Sequence, residues 1–171
     1  MRQICRTNWI WSLVFLIFAS CSSASVREPE VVTAADPMCT RNVESAVLEL
    51  QRGINMLRNS RNNQGIITDR DLSDVAHNHV LTLAASGSIG HMDNVGHTPI
   101  ERLEQSGLRR RFVAENVARF EDTAYPGRTV LRYWWERNQE GENMIHSRYR
   151  RMGAAFAARD GFCYAVLILT D

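Results

Sequence analysis

From residue 42 onward the apolar positions fall into helical and extended periods. Val43, Val47, Leu50, Ile54 and Leu57 are spaced four, three, four and three residues apart, which predicts a helix over 42–59. Gly53 lies inside it, at a cost of about 1 kcal/mol against alanine. Asn62-Asn63-Gln64-Gly65 reads as a turn. Leu72, Val75, Ala76, Val80 and Leu83 mark a second helix over 71–86, which Asp69 or Asp71 can cap and Gly87 ends. Pro99 starts a short helix that carries Ile100 and Leu103 and stops at Gly107. Phe112 to Phe120 is readable either as a strand or as an irregular segment. A third long helix is predicted over 127–139, with Val130, Leu131, Trp134 and Trp135 on its apolar arc. Gly153–Ala158 and Phe162–Thr170 read as strands, and the unbroken apolar run of the second predicts burial on both faces. Helices come first and strands last, which predicts an α+β fold.

The N-terminal pattern is different. Arg2 and Arg6 precede an apolar run from Ile10 to Phe18, broken only by Ser12. That run is too short for a spanning helix and suits a secretory leader. Phe18-Ala19-Ser20-Cys21 resembles a bacterial lipobox, although Phe stands where Leu is usual. The expected division is a lipoprotein-type signal peptide over 1–20, a polar tether over 21–38 and one domain over 39–171. Cleavage near Ala24 by ordinary signal peptidase is the alternative. With a lipid on Cys21 the protein is held at a membrane. Ser22 after it points, by resemblance to Gram-negative lipoproteins, to the outer membrane, and the expected location is exported and periplasmic or surface-anchored.

The chain has 171 residues, 44% of them hydrophobic and 23% charged, an ordinary globular balance. The net charge of +1 gives no case for nucleic acid as the main partner. Every basic residue is arginine, which excludes lysine Schiff bases and the P-loop lysine. Neither HExxH nor GxSxG occurs. With Cys5 in the leader and Cys21 acylated, Cys39 and Cys163 remain as an even pair in a disulfide-permissive compartment. They are expected to bond, and two separate buried thiols are the alternative.

Among the histidines, His79 falls on the apolar arc of its helix and reads as a hydrogen-bonded core residue, whereas His77 points to solvent. The His77-Asn78-His79 letters of a nuclease motif lie inside one helix and are rejected. His91 follows Gly87-Ser88-Ile89-Gly90 just past a helix end, where it can act as a base or ligand. Glu115 is a carboxylate in an otherwise apolar segment and needs a partner, which can be one of the arginines. Glu136 falls off the apolar arc and faces water or a cleft.

Taken in order, Ile54-Asn55-Met56-Leu57-Arg58, Gly87 to His91, Gly96 to Leu103, Ala114 to Ala118, Val130 to Trp135, Asn143-Met144-Ile145 and Tyr149 to Phe156 resemble the CAP superfamily. This is the group of cysteine-rich secretory, antigen 5 and pathogenesis-related 1 proteins, and the bacterial branch is called SCP-like. The resemblance covers residues 42–170. It implies an α-β-α sandwich with a small antiparallel sheet between helical layers. It also implies a central cleft where two histidines and two glutamates can bind a divalent metal such as zinc. His91 and Glu115 match the first histidine and the first glutamate, and Glu136 approximates the second. The second histidine is missing: its position falls on Glu140, beside Gln139, and His146 lies too far along to replace it.

Three carboxylates with one imidazole favour harder, oxygen-preferring ions and hold zinc less well, so no catalytic residue is assigned. Three functions are carried forward. One is an envelope protein binding a lipid, small ligand or peptide in its cleft. Another is a metal-assisted hydrolase using His91 and Glu115. The last is a structural envelope module. The missing histidine weighs against the enzyme.

Overall fold

The computed structural model describes residues 36–171; the leader, Cys21 and most of the tether lie outside the described residues. Helix α1 spans Val43–Asn59, capped by the Asn42 side chain on the Ser45 amide. Strand β1 is the short Ile67–Thr68, and α2 spans Arg70–Ser86 with Asp69 as its cap. Helix α3 is Pro99–Gln105, β2 is Val113–Glu121, α4 is Pro126–Trp135, α5 is Asn138–Ile145, β3 is Arg151–Arg159 and β4 is Phe162–Thr170. The segment that was readable in two ways is thus a strand. None of the described helices is long and apolar enough to cross a membrane.

The helix expected over 127–139 is two helices. Glu136 closes α4, and Arg137 turns extended at φ −112°, ψ 127° before α5 begins. The Trp134 indole is fully buried and donates to the Val117 carbonyl at 3.2 Å, which pins the end of α4 to β2. Trp135, expected on the apolar arc, is 38% exposed instead.

The sheet order is β1-β3-β4-β2. Strands β3, β4 and β2 are antiparallel neighbours, and β1 adds a parallel pair beside β3. The β3–β4 hairpin turns through Asp160 and Gly161, both at positive φ, as a two-residue connection of this hand requires. Strand β4 lies in the interior of the sheet and is buried on both faces from Cys163 to Thr170. One face packs Ala154, Phe156, Ala165, Leu167 and Leu169 against α1, α4 and α5. The other packs Ala155, Ala157, Tyr164, Val166 and Ile168 against α2 and α3. This is the expected α-β-α sandwich. Gly153 lets α2 lie close on β3, since a Cβ there would stand 2.2 Å from the Leu72 carbonyl carbon.

Two features tie the layers together. Cys39 and Cys163 form a disulfide with Cα atoms 6.2 Å apart, joining the start of the domain to β4. The Asp122 carboxylate accepts the amides of Met38 and Cys39, both at 2.8 Å, beside that bond. On the α1 side, Arg58 is fully buried with no carboxylate partner among the described residues. Its guanidinium donates to the carbonyls of Gln64, Met144, His146 and Tyr149, which joins α1 to the end of α5 and the approach to β3.

Candidate functional site

Alternation along β2 sends Val113, Glu115 and Val117 toward α2 and α3, and Asn116 toward α5. The Glu115 side chain is only 1% exposed, and an unpaired carboxylate at that depth is strongly unfavourable. Three side chains gather around it. Arg102 of α3 pairs with Oε2. His91 places Nδ1 3.0 Å from Oε1, and His79 of α2 places Nε2 3.8 Å from the same atom. The pairing with an arginine and the hydrogen-bonded core histidine are both as the residues suggested.

Local sequence orients each group. Thr98 and Glu101 form a reciprocal capping box, and Pro99 occupies the first turn of α3. The helix so fixed buries Arg102 and Leu103 together. Arg102 Nη1 donates to the carbonyls of His91 at 2.8 Å and His97 at 2.9 Å. His79 Nε2 lies 2.9 Å from the Gly90 carbonyl, which only accepts, so Nε2 carries the proton. The Gly87–Thr98 loop is therefore held down by α2 and α3. It is also closed on itself, because Asp93 accepts the amides of Val95 and His97. His79 Nδ1 and Arg102 Nε are buried without hydrogen-bond partners.

The two histidines titrate in opposite directions. The hydrogen bond to Glu115 raises His91 above the usual imidazole value, with Glu140 adding its charge in the same sense. Burial lowers His79 and keeps it neutral, despite the nearby Glu115 carboxylate. His91 remains 57% exposed at its side chain, so it is the open edge of an otherwise closed cluster.

The structure brings His91 and Glu115 together across 24 sequence positions. Glu136 is exposed at the end of α4 and forms no hydrogen bond or ion pair with either of them. Glu140, in the first turn of α5, lies near enough for its charge to act on His91. Among the described residues, the ligand atoms of His91, Glu115 and Glu136 do not converge. The one group of three such atoms within 4.8 Å of one another is Cys39, Asp122 and Cys163, where both sulfurs are in the disulfide. Both oxygens of Glu115 already face Arg102, His91 and His79. A divalent ion does not fit this donor set.

Arg102 is the residue that sequence reasoning did not single out. The signal was the Thr98–Glu101 capping box next to Leu103, together with a lone carboxylate on β2 that needed a cation.

A separate groove of about 940 Å³ runs between α1 and the start of α4, on the opposite face of the sheet from Glu115. Leu48, Met56, Tyr125 and Leu131 supply its apolar lining, and its charged lining is Arg41, Arg52 and Arg128 with Glu44 and Glu49. Glu49 pairs with Arg128 at 3.0 Å.

Residues 51–169 match the CAP family, described as the cysteine-rich secretory protein family. The chain belongs to this family. Solved structures carry the same fold. An outer surface protein of Borrelia burgdorferi aligns with a TM-score of 0.67 at 19% identity, over 75% of this chain and 93% of that one. An extracellular SCP-domain protein of Bacillus anthracis aligns with a TM-score of 0.62 at 18% identity, over 74% of this chain and 41% of that one. A cysteine-rich secretory protein of Staphylococcus aureus aligns with a TM-score of 0.57 at 18% identity, over 77% and 40%. This CAP chain thus spans less than half of the second and third of these relatives. No curated protein matches it.

Proposed function

We infer that this CAP protein is exported to the cell envelope and binds an amphiphilic ligand, a lipid or an apolar peptide, without turning it over. The α1–α4 groove carries this reading. Its apolar lining suits an acyl chain or apolar side chains, and its three arginines, which outnumber Glu44 and Glu49 there, suit an anionic head. The cluster at Glu115 supports the non-enzymatic part. Its carboxylate is committed to Arg102, and its donors do not converge on a metal position. His91 and Glu115 then serve to seat the Gly87–Thr98 loop.

The test pairs native mass spectrometry of the purified chain with titration of a fluorescent fatty acid. Co-purified lipid is expected, together with saturable binding that Leu131→Arg weakens at least tenfold and His91→Ala leaves within twofold. Loss of binding in His91→Ala but not in Leu131→Arg would return the ligand to the histidine side. Metal-dependent hydrolysis of peptides by the wild type would refute the non-enzymatic reading. Export through a lipidated Cys21 is checked separately: labelled palmitate should enter the wild type and not Cys21→Ala. Label in the mutant, or a mature N-terminus at Ser25, would defeat it.

A further inference from the structure

The net charge near zero conceals an uneven distribution. Thr170, at the end of β4, is in register with Val113 at the start of β2 and with Arg151 at the start of β3. The sheet therefore brings together two segments that are far apart in sequence, Arg109-Arg110-Arg111 and Arg148-Tyr149-Arg150-Arg151. Six of the twenty basic residues lie in these two segments.

The meeting is direct. Arg111 and Arg148 both stack on Phe112, with guanidinium carbons 5.1 and 4.7 Å from the ring centre. Arg110 and Arg151 share the one carboxylate of Asp69, at 3.7 and 3.2 Å. Asp171 accepts the amides of Arg111 and Phe112 and forms no ion pair with either segment. Among the described residues, no carboxylate lies within the ion-pair distance of Arg109, Arg111, Arg148 or Arg150, and all four are exposed. Two like charges on one ring, with two more beside them, form a concentrated positive field. The field also reaches inward, where Arg150 adds to the burial that lowers Arg58.

The surroundings select the partner. Ile67, paired with Arg151, is the one large exposed apolar side chain that the sheet register places at this end. Among the described residues, nothing there forms an apolar fringe to enter a bilayer. Phe112, against which both arginines lie, is half-buried. Stacked guanidiniums keep their N–H edges free for bidentate bonds to phosphate or carboxylate oxygens. The chain enters the domain at Met38 and Cys39, beside Cys163 at the other end of β4, about 24 Å from Thr170 at the usual rise per residue. The arginine end is therefore the pole remote from the point where the chain enters the domain.

We propose that this pole is a binding surface for a hydrated, multiply charged anionic polymer, gripped by Arg109, Arg111, Arg148 and Arg150. The surface is distinct from the α1–α4 groove, so it stands or falls independently of the ligand proposed there.

Inorganic polyphosphate and poly-glutamate serve as probes, titrated by fluorescence anisotropy into the full-length chain. The phosphate and carboxylate polymers distinguish which anionic group is preferred, and binding of either supports the proposal. If four contacts release counterions as single-stranded polyanions do, affinity falls about 50-fold between 50 and 200 mM NaCl. Changing the four arginines to Gln should weaken binding at least 30-fold. The Arg111→Gln/Arg148→Gln pair, which leaves the shared Asp69 bridge intact, should weaken it about tenfold. Arg41→Gln/Arg52→Gln, on the groove, should change it less than twofold. The proposal is overturned if the fourfold variant binds as the wild type does, or if neither polymer binds at 50 mM NaCl. It is also overturned if the chain binds vesicles of one part phosphatidylglycerol to three parts phosphatidylcholine while ignoring both polymers, because the partner is then a membrane.

Discussion

Arg58 and Arg102 are both buried guanidiniums, one on each side of the sheet, and they are satisfied in different ways. Arg58 gives all its bonds to four backbone carbonyls and faces no carboxylate. Arg102 divides its bonds between two loop carbonyls and the Glu115 carboxylate, and its Nε is left without a partner. The first is a rigid fastener between α1, the end of α5 and the irregular segments beside them. The second belongs to a charged cluster with an exposed histidine at its edge, so its state depends on its neighbours. A buried charge solvated by dipoles has no protonation partner to lose. A buried charge solvated by an ion does.

The largest effect is expected at the fastener. Arg58→Met takes the guanidinium away from four carbonyls, of which that of His146 keeps the Tyr149 amide, and should lower stability by about 4–5 kcal/mol in urea unfolding. An unchanged midpoint would mean that water replaces the guanidinium. On the other side, Glu115→Leu leaves the Arg102 charge alone and should lower stability by about 3–4 kcal/mol. Adding Arg102→Met should recover part of that loss, because removing both charges removes the burial penalty. A double variant weaker than the single one would show that the loop, not the ion pair, sets the energy. Replacing Cys39 and Cys163 by serine should lower stability by about 3 kcal/mol. It should do so without altering the response between about pH 5 and pH 8.5, since the bond lies away from the histidine cluster and the Asp122 carboxylate beside it is held below its usual range.

The smallest effect is the most diagnostic. His91 is raised in the folded protein, so its contribution is complete below the unfolded value near 6.5 and disappears as pH rises through the folded value. Solvent screening at this exposed edge keeps it below about 1 kcal/mol. The stability difference between wild type and His91→Ala, measured by unfolding from pH 5 to pH 8.5, should therefore shrink as pH rises. His79 works in the opposite sense: it is lowered by burial, so its neutral state is disfavoured as pH falls below 6.5. A His91 difference that grows with pH would overturn the assigned hydrogen bond to Glu115.

Much of this was legible beforehand. The apolar stripes of α1 and α2 place both helices within a residue or two, because burial of one face dictates a period that any reader can measure. The last two strands follow from their unbroken apolar runs, and the disulfide from the count of cysteines. Glu115 stands out because a carboxylate among apolar neighbours must find a partner. The break between α4 and α5 was not legible. It depends on Trp134 reaching the Val117 carbonyl, a contact between segments 17 positions apart. Glu136 was a site residue by the family resemblance, yet the helix ends on it and leaves it in solvent, as its phase allowed.

By itself, then, the order of residues determined the elements, the layered class, the family and the two residues, His91 and Glu115, that meet in space. Each of these rests on local period, on residue chemistry or on motif order, all of which are present in one dimension. Tertiary structure alone decided which arginine answers Glu115 and how the donors around it are shared. It also decided that six arginines from two distant segments crowd one end of the sheet. Those outcomes depend on strand register and helix docking. Through-space electrostatics acts over a few ångströms between residues that the chain keeps far apart, and no periodicity records it.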